Sequence, residues 1–151
     1  MNVKEIPEYK YEEITETGVL LRERRVGYST HGYDFNDATG VIIGCALEVH
    51  RTLGPGFREI IYQRALALEL RVAKLEFERE VKVPVYYKGR KIDTRRADFV
   101  IEDIIVEIKA KSQLAPEDYV QALNYVTASN FKLGLLLNFG ASRLQIKRLV
   151  N

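Results

Sequence analysis

The stretch Arg95-Arg96-Ala97-Asp98-Phe99-Val100-Ile101-Glu102-Asp103-Ile104-Ile105-Val106-Glu107-Ile108-Lys109 decides how this chain is read. Residues 104–109 form a β-branched run of strand type, and the segment before Glu102 alternates loosely. Only Glu102 and Asp103 separate the two runs. A hairpin centred on that pair sets Ile101 opposite Ile104, Val100 opposite Ile105 and Asp98 opposite Glu107. Residues two apart along a strand share a face, so Glu107 and Lys109 point the same way. Asp98 then faces Glu107 with Cβ atoms about 5 Å apart. Like charges held that close are costly unless a cation joins them, and the patch is a candidate Mg²⁺ site. The plainer reading stands beside it. Glu-Asp is a poor two-residue turn, a bulge would break the register, and Glu-x-Lys at a strand end is common as solvated surface. What favours a site is that residues 104–108 are apolar on both faces, as in a buried central strand, where charges are seldom casual.

The 151 residues suit one domain, large enough to bury roughly two thirds of the unfolded surface. Hydrophobic content of 46% and charged content of 29% are ordinary for a globular chain. A net charge of +2 neither establishes nor opposes nucleic-acid binding. The single cysteine, Cys45, excludes an internal disulfide and fits a reducing cytoplasm. Its place in an apolar helical stripe makes it a structural thiol rather than a nucleophile. No stretch approaches a membrane span, and an N-terminus rich in Glu, Lys and Tyr is not a signal peptide. The expected location is therefore cytoplasmic, with no membrane partner. Two histidines without a Cys/His cluster argue against structural zinc.

The chain divides into an extension, residues 1–35, and a core, residues 36–151. The extension is polar, broken by Val19-Leu20-Leu21 and a basic cluster at Arg22, Arg24 and Arg25. It reads as an arm, a small hairpin or a disordered leader, and the arginines suit a solvated run better than phosphate contact. In the core, Ile42, Cys45, Ala46, Val49 and Leu53 keep helical spacing, with Asp37 as cap and Gly54-Pro55-Gly56 as stop. A second helix is predicted from about Phe57 to Arg71. A strand follows over 76–87, turned by Lys88-Gly89-Arg90 into the hairpin already described. Pro116 suits the first turn of a third helix, with Glu117 and Asp118 at its positive end. Residues 131–137 and 144–150 read as two more strands. The order ααβββαββ means an α/β core, and an exposed edge at the last strand leaves room for a homodimer.

On the second helix Glu59, Tyr62, Gln63 and Leu66 share a face. Glu59 sits in the first turn just after two glycines, where the helix dipole alone would reward it by a few tenths of a kcal/mol. Gln121 and Tyr125 lie one turn apart on the third helix, as a site element or an amphipathic flank. His50 reads as a packed histidine beside the first apolar stripe.

These residues match a family. Gly56-Phe57-Arg58-Glu59-Ile60-Ile61-Tyr62 resembles the Gly-x-x-Glu-x-x-Tyr signature of the small bacterial and archaeal proteins named for it. The run from Ala46 to Gly56, Arg96-Ala97-Asp98, Val106-Glu107-Ile108-Lys109-Ala110 and Gly134-Leu135-Leu136-Leu137-Asn138-Phe139-Gly140 are similar to the same family. Its fold is that of the PD-(D/E)xK nuclease superfamily. The resemblance spans about residues 36–150 and implies a restriction-endonuclease-like core, a mixed central β-sheet flanked by helices.

Carried over position by position, the resemblance implies that Asp98 and Glu107 hold a divalent metal with the Ile108 carbonyl, and that Glu59 completes the acidic cluster. Lys109 would orient or activate the attacking water and stabilise charge on the phosphate. Gln121 and Tyr125 resemble a Gln-x-x-x-Tyr element that supports the site and contacts DNA. Arg96 and Lys111 are expected beside them as nucleic-acid-binding or site-support residues. Ala97 replaces the proline of the superfamily motif, a change that keeps strand geometry. Carboxylate and carbonyl oxygens suit Mg²⁺ or Mn²⁺ better than zinc or copper. The expected activity is metal-dependent hydrolysis of phosphodiester bonds, in DNA rather than RNA. The alternative is a catalytically silent nucleic-acid-binding or regulatory module on the same fold.

Overall fold

The structure, a computed structural model, describes the backbone of residues 4–6, 9–15, 18–24, 27–29 and 35–151, and the side chains of 12–15 and 38–151. In chain order the elements are β1 (Lys4–Ile6), β2 (Tyr9–Thr15), β3 (Gly18–Arg24), β4 (Gly27–Ser29), α1 (Phe35–Leu53), α2 (Glu59–Val72), β5 (Glu78–Tyr87), β6 (Arg90–Ile101), β7 (Ile104–Lys109), α3 (Pro116–Ala128), β8 (Leu133–Asn138) and β9 (Gln145–Val150). From α1 onward this is the ααβββαββ order that the periodicities predict. α1 begins at Phe35, which puts Asp37 inside its first turn rather than at the cap. The side chains of Arg22, Arg24 and Arg25 lie outside the described residues.

The main sheet has seven strands in the order β3-β2-β9-β8-β7-β6-β5. It is mixed: β7 and β8 run parallel, joined by α3 as the crossover that parallel strands require. The β5–β6, β6–β7 and β8–β9 pairs are antiparallel. With three helices alongside, this is the α/β, restriction-endonuclease-like architecture expected from the sequence. The central strands read as buried because they are: all of β8, and β7 up to Ile108, are shielded from solvent. Phe99, Ile101, Ile104, Val106 and Ile108 pack with Leu133, Leu135 and Leu137 against α1 and α2. Leu136 and Leu149 face the other way, onto Ala122, Leu123 and Val126 of α3.

One expectation is overturned. The last strand has no exposed edge, because β2 pairs with β9 in parallel through Glu12↔Lys147, Glu13↔Arg148 and Ile14↔Leu149. Two ion pairs fasten it, Lys147 Nζ to Glu12 Oε2 at 2.6 Å and Arg148 Nη1 to Glu13 Oε2 at 2.7 Å. The sequence does not show this because β2 lies more than a hundred residues upstream, in a segment of polar composition.

Candidate active site

The hairpin register is as the residue count requires: Ile101 pairs with Ile104, Val100 with Ile105 and Phe99 with Val106. The unpromising Glu-Asp turn closes because Glu102 takes a left-handed conformation, φ 53°, supplying the positive φ that tight hairpin turns need. The ladder then stops. Asp98 pairs with neither Glu107 nor Glu80, and Glu80 is itself left-handed, φ 55°. Beyond this point β6 stays with β5 and leaves β7, so the sheet forks at Asp98.

The Asp98 carboxylate fills the mouth of the fork. Its Oδ2 accepts the Ile108 N–H at 2.7 Å, in place of a ladder bond. Since N–H and C=O of one strand residue project to the same edge, the Ile108 carbonyl faces the fork as well. Asp98 Oδ1 accepts the side-chain amide of Gln63 at 3.1 Å. Gln63 is buried on α2 and works as a hub: it also donates to Glu80 Oε1 at 3.0 Å and accepts from Arg79 Nη2 at 2.7 Å. Arg96 closes the outer side by pairing with Glu80 at 3.2 Å.

Glu107 is 8% exposed, and its Oε1 is buried without a hydrogen bond. The nearest cation, Arg95, stands 3.3 Å off and lies over the Tyr125 ring at 4.1 Å. Burial pushes the Glu107 carboxyl up to about 8; Arg95 and Lys109 oppose the shift and the adjacent Asp98 adds to it. A buried carboxylate whose Oε1 makes no hydrogen bond and has only the 3.3 Å ion pair with Arg95, beside a second carboxylate and a strand carbonyl, is a donor set of hard oxygens. It fits a hard divalent cation.

The other expected residues are placed as follows. Lys109, half-buried, follows Glu107 on the same strand face. Glu59 is exposed at the first position of α2, one turn before Gln63. Among the described residues no three or more His, Cys, Asp or Glu side chains are gathered closely enough to hold a metal by themselves. Tyr125 reaches the site through Arg95, whereas Gln121 is exposed on α3. Lys111 is engaged by Asp118 at 2.7 Å, and the same Asp118 oxygen accepts the Ala115 N–H at the start of α3. Gln63, Arg79, Glu80 and Arg95 join the site without being expected there from the sequence. Gln63 carries a signal, the four-residue step from Glu59; Glu80 carries none, since nothing marks a backbone reversal within a strand.

Two further arrangements explain the sequence blocks around the site. The Tyr62 hydroxyl donates to the Gly54 carbonyl at 2.6 Å and accepts the Phe57 N–H at 3.2 Å. It thereby fastens the turn in which Gly54 (φ 67°) and Gly56 (φ 111°) take conformations that favour glycine. The Tyr62 ring stacks on Phe139 at 4.8 Å, and His50 Nε2 donates to the Ala141 carbonyl at 2.9 Å. Beyond Lys109, the loop is held by fully buried Asn138, whose side chain accepts the Lys111 N–H and donates to the Lys111 carbonyl, both at 2.9 Å.

Among the described residues no helix is long and apolar enough to cross a membrane. No curated protein matches the chain. A solved chain titled "Crystal structure of SSO0001" is similar over 61% of this chain and 49% of its own length, so this chain spans about half of it, at 20% identity and a TM-score of 0.48. Residues 36–149 match the PD-(D/E)XK nuclease superfamily. That match covers the forked hairpin, the helix carrying Gln63 and the clamped loop after Lys109, and the chain belongs to the PD-(D/E)XK nuclease superfamily.

Proposed function

We propose that this protein is a metal-dependent nuclease that hydrolyses phosphodiester bonds of DNA, using Mg²⁺ or Mn²⁺ at the fork between β6 and β7. The observation that carries the reading is the buried Glu107 carboxylate, close to Asp98 and with its Oε1 answered only by the Arg95 ion pair at 3.3 Å. Asp98, Glu107 and the Ile108 carbonyl would hold the ion, with Glu59 reaching in from α2. When bound, the ion supplies charge relief at the phosphate and a more acidic water. Lys109 offers its ammonium to charge that develops on the phosphate oxygens. Gln63 and the Ile108 N–H orient Asp98 from two sides. Arg95, backed by Tyr125, pairs with Glu107 and offsets part of the cost of burying its carboxylate.

Within the superfamily we place the chain in the Gly-x-x-Glu-x-x-Tyr group. Tyr62 supports this by fastening the glycine turn that sets Glu59 at the head of α2. Residues 36–151 form the nuclease-like domain in this reading, and residues 1–35 are an addition to it.

The test is cleavage of single-stranded, duplex and branched DNA with Mg²⁺ or Mn²⁺, comparing wild type with Glu107→Ala. Metal-dependent cleavage that disappears in the variant is the expected result. Salt-sensitive binding by both proteins without cleavage by either would replace the enzyme with a binding module.

A further inference from the structure

The fork leaves β5 and the outer part of β6 paired only with each other, as a two-stranded ribbon turned by Lys88 (φ 47°) and Gly89 (φ 75°). One face of the ribbon is committed to the core through Val83 and Ala97, which pack on Ile105. The opposite face is open. Its cross-strand pairs are Lys82↔Arg96, Pro84↔Thr94 and Tyr86↔Lys91, and these six residues line an open groove of about 660 Å³. Two cations sit directly opposite each other at the first pair, an arrangement that costs stability unless an anion lies between them. Arg96 is partly answered by Glu80. Among the described residues neither Lys82 nor Lys91 has a carboxylate within ion-pair distance.

We infer that this ribbon face is the track for the phosphate backbone of a nucleic-acid strand leaving the candidate active site. The inference rests on the nuclease reading and adds to it where the strand runs. The groove begins beside Asp98: at about 3.3 Å per residue, Arg96 lies roughly 7 Å along β6 and Lys91 roughly 23 Å. With about 3.4 Å of rise per nucleotide, the ribbon spans about seven nucleotides on one side of the cleaved bond. Tyr86 offers a ring face to a base beside the lysines. Charge complementarity identifies the occupant, because the groove lining holds three cations and no carboxylate.

The experiment is fluorescence anisotropy with a labelled 24-nucleotide single strand and its duplex, in EDTA so that no cleavage occurs, over a range of salt. Removing one lysine–phosphate interaction should reduce the slope of log affinity against log salt by about 0.7 for a single strand and about 0.9 for a duplex. Lys82→Gln/Lys91→Gln should therefore lower the slope by about 1.4 to 1.8, whereas Lys82→Arg/Lys91→Arg should keep it. Lys74→Gln/Lys132→Gln, which neutralises the same number of lysines elsewhere, should also keep it. A wild-type slope retained in the Lys82→Gln/Lys91→Gln protein overturns the ribbon track while leaving the nuclease reading intact. Absence of any nucleic-acid binding by wild type overturns both.

Discussion

Gln63 donates its side-chain amide to Asp98 at 3.1 Å, across 35 positions of sequence, and so ties α2 to the point where the sheet forks. Asp98 is consequently held at both oxygens, by a helix side chain and by a strand amide. Partners that orient a ligand contribute roughly 10- to 100-fold to metal affinity. Gln63→Leu should weaken Mn²⁺ binding by about that factor, with Asp98 and Glu107 still present. Isothermal titration of the two proteins with Mn²⁺ checks this, and an unchanged affinity would show that Asp98 is oriented without Gln63.

The raised Glu107 carboxyl makes a signed prediction for the metal-free protein. Its folded value, about 8, exceeds the ordinary 4.5, so the folded state binds the extra proton between those limits. Its contribution is fully favourable below about pH 4.5 and vanishes as pH rises through about 8, a swing on the order of a few kcal/mol. Glu107→Gln removes this slope and should make the protein more stable than wild type near pH 8. Urea unfolding in EDTA at several pH values reads the difference.

Tyr62→Phe keeps the stack on Phe139 and deletes both hydroxyl hydrogen bonds. The expected cost is about 1 kcal/mol, with faster hydrogen exchange at the Phe57 amide as the local signature. Faster exchange elsewhere but not there would place the role of Tyr62 in the core stack instead.

Gly140 approaches the loop after Lys109 so closely that an added Cβ would stand 2.5 Å from the Lys111 nitrogen and carbonyl oxygen. Those are backbone atoms, and Phe139 already bonds the Lys109 carbonyl at 2.9 Å, so neither side can yield cheaply. Gly140→Ala should cost about 1–3 kcal/mol and depress cleavage by shifting Lys109. A thermal melt together with the cleavage assay tests both effects.

The hairpin register is legible in the sequence because apolar periodicity and a two-residue spacer leave few alternatives, and it brings Asp98 and Glu107 close, although the direct cross-strand pair that the count predicts is not formed. The same count cannot reveal that the ladder ends at Phe99. That depends on Glu80, which is left-handed in a neighbouring strand and has an ordinary strand sequence around it. Arg95 is hidden for a related reason: its partners, Glu107 and Tyr125, come from two other elements. Tyr62 stands out as part of a signature, but only the fold shows that its hydroxyl serves a turn. Likewise, Asn138 and Gly140 belong to a stretch that resembles the family, and their grip on the Lys111 loop emerges only once β8 lies beside it.

The parallel pairing of β2 with β9 bears on the order of assembly. Lys147 and Glu12 are 135 positions apart, so their pairing closes one of the longest loops the chain can form, a cost that falls before its reward. The contacts within the ααβββαββ core close shorter loops, so contact order predicts that β2 docks after they have formed. Until it docks, β9 offers an unpaired edge to any neighbouring strand. The protein supplies its own stopper for that edge, and the interval before the stopper seats is when self-association competes with folding.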